Sequence, residues 1–256
     1  MIGRVLSGLR RHGPLGSVRA AWDIAIVAPR SRRQRPTRKP TLQELVRATV
    51  TIEVAAEELL RSVGVEVSPE LSRLADERVA ELERRTAGSE LLFPERFAVE
   101  RESARFLYLL VRATRPALMV ETGVANGAST FLVLTAMEEN AAGRLVSTDI
   151  NTHVGSLLTP QERDSSRWEL EVIAPDGFAE VVAELGPVDV FLHDSDHSYA
   201  NVLHEVSTIW PRVRPGGFLI ADDGETSFGL IDAVAGSGAA VHGLFDRRKV
   251  LLVTRR

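Results

Sequence analysis

The chain has no cysteine. That excludes a disulfide framework, a Cys-ligated zinc and an iron–sulfur cluster, and it fits a reducing, cytoplasmic setting. Nor is there an apolar run near the roughly 18–20 residues needed to span a bilayer. The apolar stretch Ile24-Ala-Ile-Val-Ala28 is too short and too late for a secretory signal. Internal repeats and low-complexity segments are also missing. Acidic residues are scarce at one end only. Residues 1–40 carry ten arginines and lysines against the single Asp23, a net of +9, so the rest of the −4 chain stands at −13. Such an arm can touch an anionic surface, fold back on its own acidic body, or stay solvated. Arg-rich, acid-poor N-termini also resemble organellar transit peptides. No nucleic-acid partner is expected.

What is present is ordinary for a globular protein: 256 residues, 44% hydrophobic and 26% charged. Three segments are expected. Residues 1–40 form a basic arm and linker, with a broken amphipathic helix over 1–28 and prolines at Pro29, Pro36 and Pro40. Residues 41–94 form a helical preface, a packing, lid or dimer element. Thr41-Leu-Gln-Glu44 reads as a capping box opening a helix that continues through Leu59 to a stop at Gly64. Ser68-Pro69 opens a second helix ending at Gly88, with serine as cap and proline at the first helical position.

Over residues 95–256 helices and strands alternate. A helix is expected from Phe97 to Ala113 and strands at 117–121, 144–149, 168–174, 188–193 and 217–221. Between the strands lie helices at 129–140, 176–185 and 198–213. That order argues an α/β fold with a doubly wound, mostly parallel sheet. The end departs from it: 239–245 and 249–254 read as an antiparallel hairpin with a tight turn.

Chemistry concentrates at strand ends. Phe191-Leu-His-Asp-Ser-Asp-His-Ser-Tyr199 releases Asp194, Asp196 and His197 after an apolar run, and Gly216-Gly-Phe-Leu-Ile-Ala-Asp-Asp223 ends on Asp222 and Asp223. Ligands of open parallel sheets bind outside the carboxyl ends of strands. Asp194, Asp222 and Asp223 there suit a hard divalent cation, magnesium first, or are separate exposed carboxylates. His197 fits a general base, a further metal ligand or a helix-start residue. His193 reads as a partly buried core histidine. The turn Glu121-Thr-Gly-Val-Ala-Asn-Gly127, with Gly123, Gly127 and the hydroxyl of Ser129, allows close backbone approach to a ligand or serves packing alone. Asp149 ends the next strand, where an acid can hold ribose hydroxyls or cap a loop. Asp176 borders an adenine ring or caps a helix.

Together these motifs resemble the class I S-adenosylmethionine-dependent methyltransferases, with a Rossmann-like sheet closing in an antiparallel strand. Phe191–Tyr199 with Pro215-Gly-Gly-Phe-Leu-Ile-Ala-Asp-Asp-Gly224 is similar to the metal-dependent O-methyltransferases, among them the catechol, caffeoyl-CoA and macrocin-type sugar enzymes. The resemblance covers residues 95–256. It implies that Glu121, Gly123, Gly127 and Ser129 surround the methionine part of S-adenosylmethionine, with Asp149 on the ribose and Asp176 near the adenine. It implies that Asp194, Asp222 and Asp223 hold the metal. Catechol-type enzymes carry lysine where His197 stands and asparagine where Asp223 stands. The histidine and Asp-Asp pair look closer to the macrocin-type branch, which implies a sugar or natural-product hydroxyl as acceptor, metal-lowered in pKa and deprotonated by His197. A homo-oligomer is expected. The competing readings are an NAD-dependent oxidoreductase on a similar sheet, disfavoured by Glu-x-Gly-x-x-x-Gly, and a non-catalytic cofactor-binding scaffold. A metal-dependent hydrolase is a weaker fourth.

Overall fold

The computed structural model describes residues 39–256 except 95, 96 and 98. Residues 1–38 of the basic arm, with its expected helix, lie outside the described residues. Helix α1 (Leu42–Ala48) starts at the expected capping box, with Thr41 Oγ1 accepting from Glu44 N–H and Glu44 reaching back to Thr41 N–H at 2.8 Å. The expected single helix to Leu59 does not form. Thr49, Val50, Thr51, Ile52 and Val54 are β-branched, stiff at χ1 and better suited to extended backbone. The chain instead makes the short strand β1 (Ile52–Glu53), then α2 (Ala56–Ser62), which stops before Gly64 at φ +80°. Helix α3 (Pro69–Gly88) begins at Ser68, whose side chain accepts from Leu71 N–H.

Helix α4 spans Arg101–Thr114, four residues shorter at its start than the apolar pattern suggested. Its first turn is held by Asp246, which accepts from the N–H groups of Glu102 and Ser103 at 2.6 and 3.0 Å. Then follow β2 (Leu118–Thr122), α5 (Ala128–Asn140), β3 (Arg144–Asp149), the single turn α6 (Pro160–Arg163) and β4 (Trp168–Val172). The second half runs α7 (Phe178–Glu184), β5 (Val188–His193), α8 (Tyr199–Ile209), β6 (Val213–Ala221), α9 (Gly229–Val234), β7 (Val241–Asp246) and β8 (Lys249–Arg255). Pro211 stops α8 short of the expected Val213, and 210–212 tighten into a 3₁₀ turn. Helix α9 was absent from the sequence reading: at six residues it has too few turns to show a period.

The eight strands lie in the order β1-β7-β8-β6-β5-β2-β3-β4. All pairings are parallel except β6–β8 and β7–β8. The sheet is therefore doubly wound with an antiparallel strand, as expected. Its strands alternate between two apolar layers. Met119, Val190, Leu192 and Ile220 face α2 to α5, while Val120, Phe191, Leu219 and Leu252 face α7 to α9 and Leu45 of α1. The chain reverses direction across the sheet between β2 and β5, so a crevice opens at their carboxyl ends.

The preface is bolted to this body by a charge cluster. Arg105 of α4, with its side chain only 9% exposed, pairs with Glu57 of α2 and Asp76 of α3 and stands 3.4 Å from Glu102. Removing the cation leaves acidic neighbours uncompensated. Arg105→Met is expected to cost about 2 kcal/mol, below the roughly 3–5 kcal/mol of a fully buried pair because Asp76 is half exposed. Urea denaturation checks it; an unchanged midpoint would show that the cluster contributes nothing.

Candidate active site

Three strand ends lie level. Thr122 of β2 pairs with His193 of β5, and His193 with Ala221 of β6. The next residue of each, Gly123, Asp194 and Asp222, therefore emerges at one rim. The ladder carries on briefly: Asp194 N–H donates to Thr122 O and Asp222 N–H to His193 O.

Asp194, His197 and Asp222 each offer a ligand atom, and these lie within 4.8 Å of one another. His197 Nε2 is 3.8 Å from Asp194 Oδ1 and 3.4 Å from Asp223 Oδ2. Asp222 is 6% exposed. Its Oδ1 and His197 Nδ1 are among the few buried side-chain polar atoms with no hydrogen-bond partner among the described residues. Burial raises the Asp194 carboxyl well above its usual range, Asp222 and Asp223 add repulsion, and Lys249 opposes it. Burial also lowers the His197 imidazole. The set fits a divalent cation: two carboxylates and an imidazole converge, and one buried carboxylate oxygen lacks a donor. The expected third metal residue, Asp223, stands outside that trio. It sits in the left-handed region at φ +51° and faces Lys249 Nζ at 3.1 Å and His197.

Behind this rim is a network that the sequence reading missed. His193 is wholly buried, not partly, and its Nδ1 meets Glu205 Oε2 of α8 at 2.7 Å. Thr122 and Ser195 hydroxyls donate to the same carboxylate at 2.7 and 2.9 Å. Burial alone would raise Glu205, but His193 and these hydroxyls hold it below the usual value. The His193 and His197 rings meet edge to face at 5.6 Å, so His193 supports His197 from below. Glu205 lies mid-helix, and no local motif marks it.

Asp196 accepts from Ser198 N–H, and Ser198 caps α8.

Gly123 and Gly127 adopt φ +84° and +85°. A Cβ on Gly123 would sit 2.2 Å from the carbonyl oxygen of Asp194. The glycine thus brings the turn and the acidic loop into contact. Gly123→Ala combines left-handed strain with that clash, and a loss of about 3 kcal/mol or more is expected. Chemical denaturation beside the wild type decides it, and an equal midpoint would refute the packing role.

Glu121 and Ser129 were expected around a ligand's methionine part. Glu121 is fully buried and accepts from the hydroxyls of Ser129, Thr130 and Ser147 at 2.6, 2.8 and 2.7 Å. It ties β2, β3 and α5 together beneath the turn, and burial raises its carboxyl. Asp149 accepts from Val124 N–H at 2.8 Å and Asn151 N–H at 2.9 Å, so it caps the glycine turn. Asp176 is exposed and gives no side-chain cap to α7, whose cap position is Gly177. The narrow crevice over Val124, Asn126, Ser129 and Asp194 is walled by Thr86, Leu91, Phe97, Val99 and Leu157. The preface and its connection to α4 thus reach the site.

Residues 120–224 match the family described as a methyltransferase domain. A 54-residue stretch is 33% identical to the 8-demethyl-8-alpha-L-rhamnosyl tetracenomycin-C 2'-O-methyltransferase of Streptomyces olivaceus, covering 21% of this chain and 14% of that protein. The chain therefore spans about one seventh of that relative's length in the match. The fold is shared with the O-methyltransferase from Bacillus cereus in complex with SAH, at TM-score 0.52 and 16% identity, over 79% of this chain and 98% of the other. It is shared likewise with the O-methyltransferase TomG from Streptomyces achromogenes, involved in tomaymycin synthesis and in complex with SAM. There the TM-score is 0.53 at 16% identity, over 78% and 95% of the two chains. Among the described residues no helix is long and apolar enough to cross a membrane. Residues 120–224 thus match a methyltransferase domain, and the sheet order is that of a fold shared with solved O-methyltransferases.

Proposed function

We propose that the protein transfers a methyl group from S-adenosylmethionine to a hydroxyl of a natural-product acceptor, a glycoside in particular, with help from a divalent cation. The observation that carries this reading is the convergence of Asp194, His197 and Asp222 beside the Gly123 turn. When bound, the cofactor supplies an electrophilic sulfonium methyl, and a cation supplies Lewis acidity toward the acceptor oxygen.

The chain's own residues do the rest. Gly123 and Gly127 let the turn pack closely on the Asp194 loop and on Gly155 and Leu158, which holds the turn beside the crevice. Asp149, at the end of β3, is in reach of a ribose next to the turn it caps. Asp194 and Asp222 would hold the cation, and Asp223 adds negative charge to the cluster. His197, kept neutral by burial, takes the hydroxyl proton on Nε2. An aliphatic sugar hydroxyl is far less acidic than a phenol, so it needs both cation and base. Leu91, Phe97, Val99 and Leu157 give the narrow crevice apolar walls. The rhamnosyl tetracenomycin enzyme supports a glycoside as acceptor. Labelled methyl transfer from S-adenosylmethionine to a panel of glycosides and catechols, with and without excess chelator, tests the reading. Transfer to glycosides that stops with chelator is expected; transfer undiminished by chelator overturns the metal.

A further inference from the structure

We propose that Lys249 is a tethered cation built into the acidic cluster, sharing Asp222 with the divalent metal and weakening its binding. The inference rests on the metal reading above. Lys249 Nζ lies 3.3 Å from Asp222 Oδ2 and 3.1 Å from Asp223 Oδ1, on a side chain 14% exposed. Asp222 is thereby divided: Oδ2 faces the ammonium, while Oδ1 is buried with no partner.

The topology explains how a lysine reaches a rim made of strand carboxyl ends. Strand β8 runs antiparallel to β6, so its amino end lies where β6 finishes. Lys249 is its first residue. The position is anchored on both sides of the hairpin turn. Val250 N–H donates to Glu225 Oε2 at 2.7 Å, and Asp246 caps the start of α4.

The residue type is itself unusual here. The sequence holds two lysines, Lys39 and Lys249, among 31 lysines and arginines. Arg247 and Arg248 precede it directly. An ammonium is a compact point charge, whereas a guanidinium is a wide planar fork. Between Asp222 and Asp223 the compact charge leaves Asp222 Oδ1 without an ammonium partner. Fully ionised, the three aspartates would carry −3, and Lys249 offsets one of those charges. Part of the repulsion is thus relieved without metal, and a divalent ion meets a like charge at close range.

The test compares Mn²⁺ affinity, read by electron paramagnetic resonance of free ion, in the full-length wild type, Lys249→Met and Lys249→Arg. Thermal melts verify that each is folded, and Lys249→Gln replaces Lys249→Met if the latter does not fold. Removing the charge is expected to tighten Mn²⁺ binding by about tenfold or more. Lys249→Arg should bind no more tightly than the wild type. A merely structural lysine predicts the opposite sign, since loosened carboxylates bind more weakly. Equal or weaker affinity in the neutral variant overturns the proposal and leaves the metal reading standing. Mn²⁺ binding to none of the proteins overturns the metal reading, and the proposal with it.

Discussion

Asp222→Ala is expected to lower methyl transfer by on the order of 10²–10³ or more while leaving the fold intact. The size follows from what Asp222 does. It is 6% exposed, at the rim between β5 and β8, with Oδ2 on Lys249 and Oδ1 buried without a partner. Deleting it removes a proposed cation ligand and leaves Lys249 with Asp223 as its remaining carboxylate partner. The fold should survive because Asp222 closes its ladder through backbone N–H, donated to His193 O, which alanine retains. Steady-state kinetics with a thermal melt of the same sample decides it. Full activity in the variant would remove the cation from the mechanism.

His197→Ala is the second large effect, about 10²–10⁴ in rate. The imidazole is lowered from its ordinary value of 6.5 chiefly by burial, with Asp223 and Asp222 pulling the other way. A base lowered in this way remains neutral and able to accept a proton down to a pH below 6.5. The rate should therefore fall on the acid side only below that value and stay flat through neutrality. The alanine variant loses that limb, and added imidazole should restore part of the rate. If His197 is instead a metal ligand, Mn²⁺ affinity drops together with the rate and imidazole restores both. A near-normal rate in the variant reduces His197 to a supporting contact at the start of α8.

The fold was legible in the sequence wherever a short-range pattern dictates it. The capping box at Thr41, the serine-proline start at Ser68 and the strand–turn–helix around Gly123 all stand where the residues placed them. The final hairpin was readable from two apolar runs around Arg247–Arg248. Failures have local causes as well. The helix expected to run past Ala48 gave way to β-branched residues that pair with β7, a partner almost two hundred residues distant. Helix α9 was too short to declare a period.

The site was legible in part. Asp194, His197 and Asp222 were found because ionisable residues following an apolar run are costly to bury and so belong to a rim. The register of β2, β5 and β6 then placed them together. Lys249 and Glu205 were not found, because each reaches the cluster from an element whose own sequence gives no hint of it. Lys249 looks like a hairpin residue until the antiparallel pairing of β8 is known. Glu205 looks like an ordinary helical acid until α8 is packed on His193. The glycine turn also changed meaning. Gly123 is required by the carbonyl of Asp194, so the glycine turn and the acidic rim are packed as one unit.

In the proposed function this unit presents S-adenosylmethionine to the acidic rim. Calorimetric titration of the wild type with S-adenosylmethionine and, separately, with NAD tests it most directly. Saturable binding of S-adenosylmethionine at one site per chain, and none of NAD, is predicted. Binding of NAD without S-adenosylmethionine, or of neither, would contradict it.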